Sequence, residues 1–383
     1  MSTDSNVTLA PPAAGPVDLL IVAAEHSGDE NAARMLRELL VLRPGLRVAA
    51  LGGAALAGAG AQLLLDLTAS SSMGFAVIAK LSYYRKLIAE IVRWIGEHRP
   101  RAVCFVDSSG LNLRIARGLF ERGISAKAGG ATRTLYYISP QIWASRAGRR
   151  FAMAGHLDGL AAIFPFEPAR YADTTLPVEF VGHPFVAPDY APPVRFDPAG
   201  PVLLLPGSRK GVVARLFPAL LAGYRAWGGD RPAVVLYPSD EILATLRAAR
   251  PPAHVALQRT HAGDGPVAAA AVLTSSGTMS MHCALAGIPG AVAYRTDPVT
   301  YFLGRLIVKV PYIGIANLLL GEAMYPEYIQ GAATPAALAA ELCACLGDPA
   351  RRARTAEQAA KLRTLLGRPT RGSAAEWLAR QLG

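Results

Sequence analysis

Short, wholly apolar runs recur along this chain. Each leads into a loop of small polar residues and then into a segment of helical periodicity. Val17 to Ala24 is the first run, and Asn31 to Leu42 follows with Met35, Leu36, Leu39 and Leu40 on one helical stripe. Arg47 to Leu51 is the next run and ends in Gly52-Gly53. Strand, loop, helix, strand at this pitch predicts right-handed βαβ units and parallel sheets covered on both faces. Ala102–Val106, Thr134–Ile138, Leu157–Phe164 and Val178–Val181 continue the strands. A helix over Lys80–His98 puts Tyr84, Leu87, Ile88, Ile91, Val92 and Ile95 on one core stripe.

Pro188 to Pro201 interrupts the pattern with prolines at 188, 192, 193, 198 and 201, which makes it the predicted linker. Behind it a second series begins, with strands at Val202–Leu205, Ala233–Leu236, Ala269–Thr274 and Ala291–Tyr294. Helices fall near Val213–Tyr224, Glu241–Arg250 and Met279–Ala286. Pro335 opens a helix with Thr334 as its N-cap. The expected fold is α/β: two Rossmann-like domains, 17–187 and 202–350, whose parallel sheets face a cleft. Residues 1–16 read as a disordered tail. Helices over 351–383 complete the chain, and a return to the first domain is one option for them.

Two strand ends stand out. Leu203-Leu204-Leu205 runs into Pro206-Gly207-Ser208-Arg209, and Leu273-Thr274 runs into Ser275-Ser276-Gly277-Thr278. A tight turn into a helix start points backbone N–H groups outward, at the positive end of the helix dipole. Arg209 adds a guanidinium fork. Two such turns in one half of a chain suit a nucleotide diphosphate. No Walker loop, no G-x-G-x-x-G after the first strand and no G-x-S-x-G elbow occurs, which argues against P-loop NTPase, NAD enzyme and serine hydrolase.

Net charge is +11, so anionic partners are favoured. No long Lys/Arg block and no basic–aromatic RNP-like pattern is present, so nucleic acid ranks last. No uncharged apolar run reaches the length of a bilayer span, and Met1 to Pro16 lacks the features of a secretory signal. The expected location is cytoplasmic, with surface contact to a membrane. Met73, Phe75 and their apolar neighbours up to Ile78, followed by Lys80, Arg85 and Lys86, form the stretch able to touch lipid. A metal at Cys343-Ala344-Cys345 is not expected, because i and i+2 do not share a helix face.

Several loop residues are chemically capable. Asp107 ends a strand and suits a general base, although a turn aspartate has the same appearance. Glu25 and Asp29 flank Ser27-Gly28; Asp29 is placed to cap a helix starting near Glu30, leaving Glu25 to reach a ligand. His26 is either a ligand donor or a surface residue, and His183 either faces a ligand or holds a hinge.

Taken together, these segments resemble the lipid-A-disaccharide synthase family of GT-B glycosyltransferases, from about Val17 to Gln330. Ala23-Ala24-Glu25-His26-Ser27-Gly28-Asp29 is similar to the family's A-G-E-x-S-G-D loop. Val106 to Asn112 resembles I-D-x-P-D-F-N, and Ser139 to Arg146 resembles S-P-x-x-W-A-x-R. Pro165-Phe166-Glu167, Gly182-His183, Pro206 to Arg209, Ser276 to Thr278, Tyr294-Arg295, Asn317-Leu318-Leu319 and Pro326 to Gln330 match further motifs in order.

The resemblance implies an inverting transfer from UDP-2,3-diacylglucosamine to 2,3-diacylglucosamine 1-phosphate. Asp107 and Glu25 would be the catalytic residues. Ser208, Arg209, Ser276, Gly277, Thr278, His282, Asn317, Glu327 and Gln330 would hold the nucleotide. His26, Ser27, Met73, Phe75, Trp143 and Arg146 would lie on the acceptor and lipid side. The UDP-sugar would be a co-substrate, with no metal or other cofactor. Partners would be acylated glucosamine phosphates, the cytoplasmic surface of the inner membrane and a second copy in a homodimer.

The chain departs from the pattern in places. His282 stands where the family has glutamate, Gly110 and Val212 where it has acidic residues, Ala24 for a glycine and Ala316 for a proline. An altered donor or acceptor, and a catalytically silent descendant, are the rival expectations.

Overall fold

The computed structural model describes residues 7–70, 77–260, 264–297, 301–302 and 310–383. Met73 and Phe75 lie outside the described residues. The chain divides into two compact units: Met1–Pro184 with Arg368–Gly383, and Phe185–Gly367.

Unit 1 holds seven strands: β1 Leu19–Ala23, β2 Val48–Gly52, β3 Gln62–Asp66, β4 Ala102–Val106, β5 Arg133–Tyr137, β6 Gly159–Ala162 and β7 Val178–Phe180. They form one sheet in the order β3-β2-β1-β4-β5-β6-β7, parallel throughout. β1, β2 and β4 are buried along their whole length, as their unbroken apolar runs require. Helix Val77–His98 sets Leu87, Ile91, Val92 and Ile95 into this core.

Unit 2 contains β8 Val194–Phe196, β9 Val202–Leu205, β10 Ala233–Tyr237, β11 Val255–Arg259, β12 Val267–Ala269, β13 Ala271–Thr274, β14 Gly290–Tyr294 and β15 Glu327–Ile329. The main sheet runs β11-β10-β9-β13-β14-β15, and β8 pairs with β12 apart from it. All these pairings are parallel.

Four features differ from the sequence expectation. The stretch 188–201 is not a bare linker: the units divide at Pro184/Phe185, and the stretch holds β8, paired with β12. A proline-rich segment tolerates a three-residue edge strand because only alternate N–H groups are needed. The expected tail is ordered from Val7. Leu9 is buried, its N–H donates to Glu90 at 2.8 Å, and Trp94 Nε1 donates to the Ala10 carbonyl at 2.9 Å.

Of the C-terminal helices, Pro349–Leu366 stays with unit 2 and only Ala374–Leu382 joins unit 1. There Trp377 is buried, and Arg133 donates to the Gln381 carbonyl at 2.8 Å. Finally, Asp29 does not cap its own helix, which starts at His26. Its buried carboxylate accepts from Gly53 N at 2.7 Å and Ala55 N at 3.0 Å, and so caps the next helix, Ala54–Gly58.

Candidate functional site

In an open parallel sheet, ligands bind where the strand order reverses, outside the carboxyl ends of the two central strands. In unit 1 that point lies between β1 and β4, whose register sets Ala23 beside Val106. The following residues are Ala24-Glu25-His26 on one strand and Asp107-Ser108 on the other. A Cβ placed on Gly28 would stand 3.7 Å from the Asp107 Cβ, so the first turn of helix His26–Leu42 lies against Asp107. The structure therefore sets the loop that carries Glu25, His26 and Ser27 beside the turn that carries Asp107. Glu25 and His26 are exposed and Asp107 is half-buried.

Asp107 and Ser108 have φ of +50° and +43°, a left-handed pair without glycine. Each such residue costs about 1–2 kcal/mol. The Asp107 N–H donates to the Tyr137 carbonyl at 3.1 Å. Its carbonyl accepts from Asn112 Nδ2 at 2.9 Å and from the Tyr136 hydroxyl. Tyr136 and Asn112 are both fully buried. The sequence reading missed Tyr136, whose only signal there was a polar atom at the end of an apolar strand.

Trp143 and Arg146 sit on the loop after β5, one strand further along. Arg146 is exposed with φ of +56°. Trp143 packs edge-on to Phe164 and Phe166, and its Nε1 donates to Glu167 at 3.3 Å. Glu167 is fully buried and also accepts from Phe164 N at 3.1 Å. Burial pushes its carboxyl up to about 7. It thus ties the Trp143 loop to the body of the unit, a role that sequence spacing had no means of showing. His183 is buried, with its ring 5.3 Å from that of Phe164.

In unit 2 the order reverses between β9 and β13, with Leu205 beside Thr274. The strands that meet there are the two that run into the anion-ready turns. Ser275 N donates to the Leu205 carbonyl at 2.8 Å. Gly207 has φ of +104°, and a Cβ there would come within 3.3 Å of Ser275 Oγ. The turns touch, and glycine is what lets them. Helix Lys210–Trp227 starts behind Arg209, and helix Thr278–Leu285 behind Gly277. Ser208, Arg209, Gly277 and Thr278 are exposed and Ser276 is half-buried. Two helix starts meet at this exposed rim with Arg209 on one of the turns, an arrangement whose N–H groups suit an anion.

The remaining predicted residues of unit 2 have partners of their own. His282 is buried one turn further along the helix. Its ring centre is 4.0 Å from that of Phe185, and both ring nitrogens lie 3.2 Å from the Tyr190 hydroxyl. Burial lowers its pKa to about 4, so the imidazole is neutral at pH 7. Asn317 exchanges hydrogen bonds with the Tyr325 backbone and donates to Glu327 at 2.9 Å. Glu327 also accepts from Ile313 N and Gly314 N, each at 2.9 Å. Gln330 makes two 3.0 Å bonds to the Thr296 backbone. These three side chains brace loops beside β14 and β15.

A family model described as "Lipid-A-disaccharide synthetase" matches residues 19–382. The chain belongs to the lipid-A-disaccharide synthase family. Lipid-A-disaccharide synthase of Syntrophus aciditrophicus is 35% identical over 92% of this chain and 94% of its own length. The synthase of Geobacter metallireducens is 33% identical over 91% and 93%.

Solved structures place the fold among GT-B glycosyltransferases. The glycotransferase of kitacinnamycin matches with TM-score 0.60 and 16% identity, over 97% of this chain and 100% of its own. The calicheamicin glycosyltransferase CalG4 matches with TM-score 0.55 and 15% identity, over 96% and 98%. Like its family, the chain is a UDP-sugar-dependent hexosyltransferase that forms the lipid A disaccharide. Among the described residues, no helix is long and apolar enough to cross a membrane.

Proposed function

We propose that this synthase joins UDP-2,3-diacylglucosamine to 2,3-diacylglucosamine 1-phosphate, giving the lipid A disaccharide 1-phosphate and UDP with inversion at the anomeric carbon. The observation that carries this reading is the division of chemistry between two switch points: a carboxylate, Asp107, at one and an anion cradle at the other. Asp107 takes the proton of the acceptor's 6-hydroxyl. The freed oxygen pair attacks the donor's anomeric carbon from the face opposite UDP, and the breaking C–O bond leaves its electrons on the β-phosphate oxygen. Arg209 and the N–H groups of the two turns meet that charge, with no metal or other cofactor in the scheme.

Acylated substrates and the net charge of +11 support work at the cytoplasmic surface of an anionic membrane, as a peripheral protein. A homodimer belongs to the same reading, and sedimentation in detergent tests it.

Single-turnover conversion of the two substrates in detergent tests the chemistry. Asp107→Asn is expected to slow disaccharide formation about 10²–10⁴-fold while leaving UDP binding by calorimetry unchanged. An undiminished rate would remove Asp107 as the base. The neutral, buried His282 favours one second reading, a different nucleotide sugar as donor. A larger rise in melting temperature with another nucleotide sugar than with the UDP-sugar would establish it.

A further inference from the structure

The direction of a carboxylate is set by the Cα–Cβ bond that carries it, and that bond is set by the two peptide groups on either side. At Asp107 both peptide groups are held. Its N–H is bound to the Tyr137 carbonyl at 3.1 Å. Its carbonyl takes two donors, Asn112 Nδ2 at 2.9 Å and the Tyr136 hydroxyl. Asn112 Nδ2 also reaches the Val106 carbonyl at 3.2 Å, which ties the end of β4 to the same amide. The held conformation is an unfavourable one. Asp107 and Ser108 are the only consecutive non-glycine residues with positive φ among the described residues, and strain of this kind persists only when its surroundings over-determine it.

Neither holder is placed to touch substrate, because both side chains are fully buried. The Tyr136 ring lies in the core, 6.2 Å from that of Phe105. Burial and the neighbouring Asp107 push its hydroxyl well above the ordinary tyrosine value, so it remains a donor at working pH. The strand that carries it pairs directly with the strand that leads into Asp107, Phe105 lying opposite Tyr136.

We propose that Tyr136 and Asn112 are positioning residues for Asp107: by gripping its carbonyl in the left-handed turn, they fix the direction in which its carboxylate meets the acceptor hydroxyl. This rests on the reading of Asp107 as the base. The two residues act through Asp107, so their removal changes the chemical step and leaves the donor's hold in unit 2 as it was. Misplacing a reacting group by about 1 Å costs on the order of a hundredfold in rate. Release of one of the two donors belongs at or below that figure.

The test is a double-mutant cycle on the full-length enzyme, with the parent, Tyr136→Phe, Asp107→Asn and the double variant. Single-turnover rates and donor KM are read for each. Tyr136→Phe keeps the ring and removes only the hydroxyl. It is expected to lower the rate about tenfold to a hundredfold with donor KM unchanged, and to cost nothing further in the Asp107→Asn background. Asn112→Ala, checked for folding by its melting curve, is the second variant and is expected to behave alike. A parental rate in Tyr136→Phe, or losses that multiply in the double variant, would overturn the positioning role while leaving Asp107 as the base. Full activity in Asp107→Asn would instead remove the base, and the positioning proposal with it.

Discussion

The two units solve the same topological problem with different materials. Each brings two loops to the point where its strand order reverses. Unit 2 does it with glycine: Gly207 takes φ of +104° and the adjoining turns present backbone N–H groups. Unit 1 does it with Asp107 and Ser108 at φ of +50° and +43°, and holds them there with buried side chains. An anion needs only N–H donors, which glycine offers without strain. The base proposed for unit 1 needs a side chain, so its left-handed position must carry a Cβ and its cost. The difference teaches that the same switch-point geometry can be reached by a glycine in one unit and, in the other, by two side-chain-bearing residues held in place by buried donors.

That contrast can be broken at several points. The largest effect is the Asp107→Asn loss already given, confined to the rate. Next in size are opposite pH responses of the two units. Glu167, raised from 4.5 to about 7, favours the fold fully below its unfolded value and loses that contribution as pH rises through 7. His282, lowered from 6.5 to about 4, contributes above 6.5 and loses its contribution as pH falls through 4. Shifts of this size are worth on the order of 3 kcal/mol each. Thermal melts from pH 4 to 8 are therefore expected to show Glu167→Gln flattening the alkaline limb and His282→Phe the acid limb. Movement of the same limb by both variants would contradict the assignment.

Smaller effects test the glycine contrast itself. Gly207→Ala puts a methyl in a left-handed position and 3.3 Å from Ser275 Oγ. It is expected to lower stability by about 1–3 kcal/mol in denaturant unfolding and to raise donor KM. Ser108→Gly relieves strain instead, and is expected to be neutral or stabilising by up to about 1 kcal/mol while slowing the chemical step. Destabilisation by Ser108→Gly would show that its Cβ contributes packing that outweighs the backbone cost.

Much of this arrangement was legible beforehand, for identifiable reasons. Leu203-Leu204-Leu205 before Pro206-Gly207-Ser208-Arg209 gives strand, turn and helix start within a few residues, and all three formed. Thr334 before Pro335 gave a helix start, and its hydroxyl accepts from Ala337 N at 3.1 Å. The strands β3, β8, β11, β12 and β15 went unread. β11 and β15 have exposed or half-buried positions that blur the apolar run, and β3 has only one buried residue.

Asp29 shows the limit at a single residue. Its place before a helical stripe suggested a local cap, yet its partners Gly53 and Ala55 lie on the following turn of the fold. Asn317, Glu327 and Gln330 each hydrogen-bond within their own chain, partnerships that motif spacing does not reveal.

The sequence by itself determined the strands buried on both faces, the turns that end them and hence the class of fold. Those depend on residues within one turn or one strand of each other. Tertiary structure alone decided which buried polar atoms meet: Tyr136 and Asn112 on the Asp107 carbonyl, Glu167 on Trp143, His282 against Tyr190 and Phe185. Such a partnership is forced by the need to pair a polar group once it leaves water. Its partner is whichever group the packing brings within 3 Å or so, and that is settled by strand order and register rather than by neighbours in the chain.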